Sequence, residues 1–118
     1  MRHRNNAIKI GSRNGAHKLA LLRNLMTQLV LHEKIKTTEH KAKILRTQFE
    51  KFFNMIRSQS ELNQVRELDS FFYSDIPGKK IKEVLIKRFE NRTSGLTRLT
   101  RLYNRKGDNT TIVLIELV

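Results

Sequence analysis

Four histidines, His3, His17, His32 and His40, are the first candidates for chemistry in this cysteine-free chain. Without thiolates, a metal site would have to be built from imidazole and carboxylate. The spacing argues against one. His32-Glu33 is followed by Lys36 where an HExxH pair needs its second histidine, so no metal or other cofactor is expected. Gly11-Ser12-Arg13-Asn14-Gly15 holds three residues between its glycines and continues Ala16-His17 without a preceding strand, which does not match a phosphate-binding loop. Glu33 and Glu39 are the acids near a histidine, and the lysines beside them would hold both ionised as surface partners. No nucleophile and base stand at a recognisable spacing, so neither catalysis nor a small-molecule substrate is expected.

The cations offer a different chemistry. Arg2, Arg4, Lys9, Arg13 and Lys18 fall within the first 18 residues beside His3 and His17, and no acid accompanies them. A tail kept only for solubility needs no such imbalance. Arginine forks onto phosphate oxygens, and Gly11 and Gly15 let a backbone follow a polyanion closely. Residues 1–16 are therefore expected to form a basic arm that orders on its target, ahead of one domain over 17–118. Arg92, Arg98, Arg101, Arg105 and Lys106 repeat the pattern near the other end, with no acid before Asp108. The whole chain of 118 residues carries 24 Lys and Arg against 11 Asp and Glu, a net charge of +13, which calls for a negative partner. Residues 1–32 and 91–118 hold +6 and +3 of it, leaving +4 for the longer middle.

The elements that position these side chains follow from apolar spacing. Leu19, Leu22, Met26, Leu29 and Val30, widened by Leu21 and Leu25, predict a helix from His17 to Leu31. The Ile35-Lys36-Thr37-Thr38 run suits a short strand, with Thr38 placed to cap the next helix and Glu39 at the favourable end of its dipole. Ala42, Leu45, Phe49, Phe52, Phe53 and Ile56 carry the clearest helical period in the chain, so the three phenylalanines read as core, not as base-stacking groups. Tyr103 is the better stacking candidate. Leu62, Val65, Leu68 and Phe72 predict a third helix after Ser60, ended by a turn at Pro77-Gly78. Ile81, Val84, Leu85 and Phe89 predict a fourth. Thr97, Leu99, Arg101 and Tyr103 would share one face of a strand that pairs with the β-rich TIVLIELV through a turn at Lys106-Gly107-Asp108-Asn109. The expected fold is α+β: a two-layer single domain of order αβααα-ββ, with a small mixed sheet and the helices packed on one of its faces. No apolar stretch is long enough to cross a bilayer, so no membrane partner is expected.

Charge does not separate DNA from RNA, but no helix–turn–helix or zinc-finger spacing is present, which disfavours a reader of DNA sequence. A free basic protein associated with a chromosome or with RNA stays open as an alternative. Three segments go further. MRHR at the start, HKLALLRNL at 17–25 with HEKIKTTEHKAKILR at 32–46, and NRKGDN with IELV at the end resemble the bacterial-type large-subunit ribosomal protein seventeen family, collinearly over nearly the whole chain. The resemblance implies a structural protein of the large subunit in the cytoplasm, or in an organelle. Such a protein binds and stabilises large-subunit ribosomal RNA beside neighbouring ribosomal proteins near the peptide exit region, and no homo-oligomer is expected. It implies RNA contacts at Arg2, His3, Arg4, Arg13, His17, Lys18 and Arg23, at Thr37, Thr38, Lys41 and Lys43, and at Arg92, Thr97 and Arg98. The charge pattern adds Arg101 and Arg105. Two departures stand out: Ser94-Gly95-Leu96-Thr97-Arg98 lacks the tyrosine of the family's Gly-Gly-Tyr-Thr-Arg pattern, and residues 63–80 match poorly and carry Glu67, Asp69 and Asp75.

Overall fold

The computed structural model describes residues 15–118. Helix α1 (Gly15–His32) takes in the two residues before the expected start and is closed by Glu33, whose φ of 62° lies in the left-handed region. The Glu33 amide donates to the Leu29 carbonyl at 2.8 Å. Strand β1 (Lys34–Thr38) follows, then α2 (Glu39–Arg57) and α3 (Glu61–Phe71). Thr38 occupies the N-cap position of α2 with extended backbone, but its hydroxyl makes no capping bond. Helix α4 starts as Asp75–Lys80, widens into a π turn at Ile81–Leu85 and closes with an α turn at Ile86–Arg88. Strands β2 (Thr97–Asn104) and β3 (Thr111–Leu117) form the expected hairpin. Gly107 (φ 104°) and Asn109 (φ 56°) take the left-handed conformations that its loop requires.

The sheet has the order β1-β3-β2, and both pairings are antiparallel. This corrects the expected mixed sheet. Strands β1 and β2 do run the same way, but β3 lies between them, so no parallel ladder forms. Directly opposed residues share a face, so Ile35, Leu99, Val113, Ile115 and Leu117 line one side together. The helices cover that side. Phe49 and Phe53 of α2 stack with ring centroids 5.8 Å apart, and Phe53 meets Phe89 edge-on at 5.6 Å. Met26, Leu29, Leu45, Ile56, Ile81, Leu85 and Leu96 complete the buried centre.

Three further expectations change. Pro77-Gly78 does not end a helix but lies in the first turn of α4, where a missing proline N–H costs nothing because that donor has no intrahelical acceptor. Gly78 is there for closeness: a β-carbon on it would come within 3.2 Å of the Leu68 Cβ on α3. Val84 points outward, since the π turn carries the buried positions at intervals of four, Ile81, Leu85 and Phe89, and rotates Val84 off that line. Tyr103 leaves the face of Leu99 and Arg101. A bulge between Arg101 and Tyr103 sets it opposite Ile112, on the other side of the sheet.

Candidate nucleic-acid interface

The side of the sheet turned away from the helices carries the alternate residues of all three strands. Lys34, Lys36 and Thr38 of β1, Ile112, Leu114 and Glu116 of β3, and Arg98, Thr100 and Tyr103 of β2 stand there in register. Glu116 is the acid at the centre of this face, and both outer strands lean on it: Lys34 Nζ lies at 3.9 Å and an Arg98 guanidinium nitrogen at 3.7 Å. Lys34 and Arg98 still leave about two-thirds of their side chains exposed. Tyr103, 56% exposed, adds an aromatic surface. Strand alternation brings these groups together: in β1 the lysines flank Ile35, so burying the isoleucine points both cations out.

A second cationic surface adjoins β2. Lys43, Arg46, Thr47, Lys51 and Asn54 of α2, with Leu99 of β2, wall a groove of about 580 Å³. The same helical period that buries Leu45, Phe49 and Phe53 sets these residues on the outer side of α2. Glu50 also borders the groove, but its carboxylate accepts the Leu96 amide at 3.2 Å. Helix α2 anchors the loop that leads into β2 in two more places. Asn54 donates to the Thr93 carbonyl at 3.2 Å, and Arg57 donates to the Phe89 and Arg92 carbonyls at 2.7 and 2.6 Å. These bonds tie the segment leading into β2 to α2.

Carboxylates hold several of these cations in place. Arg101 donates to Glu39 at 3.0 Å and Lys43 lies 3.4 Å from the same carboxylate, so Glu39 is held below its ordinary pKa, chiefly by Arg101. Arg105 grips Asp108 with two hydrogen bonds of 3.2 and 2.6 Å. With the Thr110 amide, it holds the Asp108 carboxyl well below the usual carboxylate range, while Asp108 pushes Arg105 up. That pair braces the hairpin loop. Away from both surfaces, Glu33 receives Arg88 at 2.7 Å and Lys80 at 3.0 Å, which lower its pKa in that order. Its partners come from α4, not from the neighbouring lysines expected from the sequence, and they tie the end of α1 to the end of β3, where Arg88 also donates to the Val118 carbonyl.

The residues expected to contact RNA divide accordingly. Arg2, His3, Arg4 and Arg13 lie outside the described residues. Thr38 and Arg98 belong to the open sheet face, Lys43 to the groove, and Arg101 beside it. Lys41 is half-buried and Thr37 turns toward the helices. Thr97 is 6% exposed with its hydroxyl unbonded, because its register opposite Leu117 puts it on the helix side. Leu96, where the family pattern has tyrosine, is fully buried. Arg23 stacks on its own protein, 5.5 Å from the Phe71 ring centroid and 5.7 Å from that of Tyr73. Arg92 is exposed and bonded to the Gly95 carbonyl at 3.2 Å, while His17 and Lys18 stand in the first turn of α1. Sequence reasoning missed Lys34, Lys36, Arg46 and Lys51. Their signal was present in the alternation around Ile35 and in the outer side of the α2 stripe.

Among the described residues no group of three or more His, Asp or Glu could hold a metal ion, and no helix is long and apolar enough to cross a membrane. A small α+β domain with one face of its sheet open, and cations on that face and the adjoining helix, has the build of a polyanion-binding module. Comparison with known proteins makes the class particular. Residues 21–118 match the family model for ribosomal protein L17. "Large ribosomal subunit protein bL17" of Desulfosudis oleivorans is 37% identical over 118 residues, all of this chain and 56% of that protein. Its counterpart in Geotalea daltonii is 36% identical, with 64% of its length covered. The one in Sulfurimonas denitrificans is 37% identical, and each chain spans the whole of the other. The chain therefore spans little more than half of some relatives and all of others. It belongs to the ribosomal protein L17 family.

Proposed function

We propose that the protein is a structural constituent of the large ribosomal subunit that clamps and stabilises folded large-subunit ribosomal RNA. The observation that carries this reading is the pair of cationic surfaces that meet at β2: Lys34, Lys36 and Arg98 on the open sheet face, and Lys43, Arg46 and Lys51 in the groove that α2 forms with Leu99 on the other side of that strand. Cations spread over a rigid surface fit phosphates whose positions are fixed by RNA folding, and Tyr103 can stack on an unpaired base. Helix α2 and the sheet hold the spacing, and the basic residues ahead of α1 extend the grip as an arm that orders on the RNA. The protein acts as a single copy in the cytoplasm, among neighbouring ribosomal proteins near the peptide exit region.

The test is filter binding of the full chain to large-subunit ribosomal RNA, with small-subunit RNA and duplex DNA as competitors. Preference for the large-subunit RNA that persists as salt is raised supports shape recognition. Equal competition by all three overturns it in favour of a free basic nucleic-acid-binding protein.

A further inference from the structure

The face made by α3 and the start of α4 is unlike the rest of the protein. Leu62, Val65 and Leu68 recur every three residues along α3, yet Leu68 is the one residue the helix buries. Leu62 remains 61% and Val65 38% exposed. A groove of about 360 Å³ runs beside Val65 and Leu68, bordered by the acids Asp69, Asp75 and Glu83 and by Lys79 and Lys82. Its floor is apolar because Gly78 lets α4 come close to Leu68. The charge reverses here as well. Helix α3 carries Glu61, Glu67 and Asp69 against Arg66 alone, in a chain whose net charge is +13, while at the groove Asp75 and Glu83 stand with Lys79 and Lys82.

An amphipathic helix that leaves two-thirds of its apolar stripe uncovered beside an open groove is built for a partner, and the charges select which. RNA would set phosphates against the carboxylates of α3, Glu61, Glu67 and Asp69. A second copy docked through the same face would oppose like with like. A cationic protein segment with an apolar side chain satisfies both features: the side chain enters the groove against Val65 and Leu68, and its basic neighbours meet Asp69 and Asp75. We infer that the α3–α4 face docks a cationic, apolar-bearing segment of another protein in the large subunit. This rests on the ribosomal reading above, and it gives the molecule two opposed specificities: phosphate on the sheet and α2, basic protein on α3 and α4.

The experiment places a photo-crosslinking amino acid at position 62 of the full chain, and separately at position 46 in the α2 groove, and isolates large subunits containing each variant. The expected result is that position 46 crosslinks to RNA and position 62 to a protein, at a peptide rich in Lys and Arg. Adding Asp69→Lys and Asp75→Lys should reduce the position 62 crosslink by about tenfold or more without changing sedimentation. A position 62 crosslink to RNA, a crosslink to a second copy of this chain, or no crosslink while position 46 reaches RNA each overturns the inference alone. Absence of both variants from the large subunit overturns the ribosomal reading and this inference with it.

Discussion

Replacing Lys43, Arg46 and Lys51 together by alanine strips the α2 groove of its cations while leaving the buried stripe of the same helix intact. Each cation lost from a phosphate contact lowers the slope of log affinity against log salt by about 0.7 to 0.9, because fewer condensed counterions are released on binding. Three contacts lower it by about 2.1 to 2.7. With equal binding near about 1 M salt, where the ionic contribution vanishes, the slope change corresponds at about 0.15 M to a loss of roughly 50- to 170-fold in affinity. The fold should not suffer. Alanine is the best helix former, and the Lys43–Glu39 pair that disappears is an exposed (i, i+4) contact worth a few tenths of a kcal/mol. The assay is filter binding to large-subunit ribosomal RNA across a salt series, with thermal melting followed by circular dichroism. An unchanged slope at an unchanged melting temperature would refute the assignment of this groove to phosphate.

Three further predictions concern the scaffold. Phe53→Ala removes a fully buried ring that touches Phe49 and Phe89 and lies under the Arg57 guanidinium at 4.9 Å; it should cost about 3–5 kcal/mol, read as a lower urea midpoint at constant slope. Glu33→Gln should cost about 1 kcal/mol near neutral pH by weakening the links to Arg88 and Lys80. Because the folded-state pKa of Glu33 lies below its ordinary 4.5, the carboxylate's contribution is present above that value and fades as pH falls through the folded pKa. The difference between the two proteins should therefore shrink in urea titrations below pH 4.5. Gly78→Ile drives a branched side chain into Leu68, whose Cβ already stands 3.2 Å from where a first carbon would go; an overpacking cost of about 1–3 kcal/mol should appear as a lower melting temperature.

What could be read from the sequence depended on how local the determining physics was. Ala42, Leu45, Phe49, Phe53 and Ile56 gave α2 and its buried face correctly because one helix packed on one side needs nothing but its own period. The hairpin at Lys106–Asn109 was legible for the same reason, since turn chemistry is set within four residues. Leu62 and Val65 had an equally good period, and their exposure reflects what the rest of the chain leaves uncovered. Pro77-Gly78 was misread because the same dipeptide serves a turn or a helix start, and the contact of Gly78 with Leu68 that decides it crosses between elements. The antiparallel partner of β1 lies far along the chain in β3, Lys36 opposing Leu114, and the bulge that turns Tyr103 over is a property of the pairing with β3. For the candidate interface, the charge pattern singled out Arg98 and Arg101, and the family resemblance Lys43. Register and helix phase were needed to add Lys34, Lys36, Arg46 and Lys51 and to withdraw Thr97 into the protein.

The most direct measurement is sedimentation of the tagged full chain with ribosomal particles through a sucrose gradient, before and after a high-salt wash. Retention with the large subunit after the wash is the predicted result, because shape-matched contacts over the sheet and α2 outlast the screening of individual charges. Release into the free pool at moderate salt, or equal distribution between the two subunits, would contradict it.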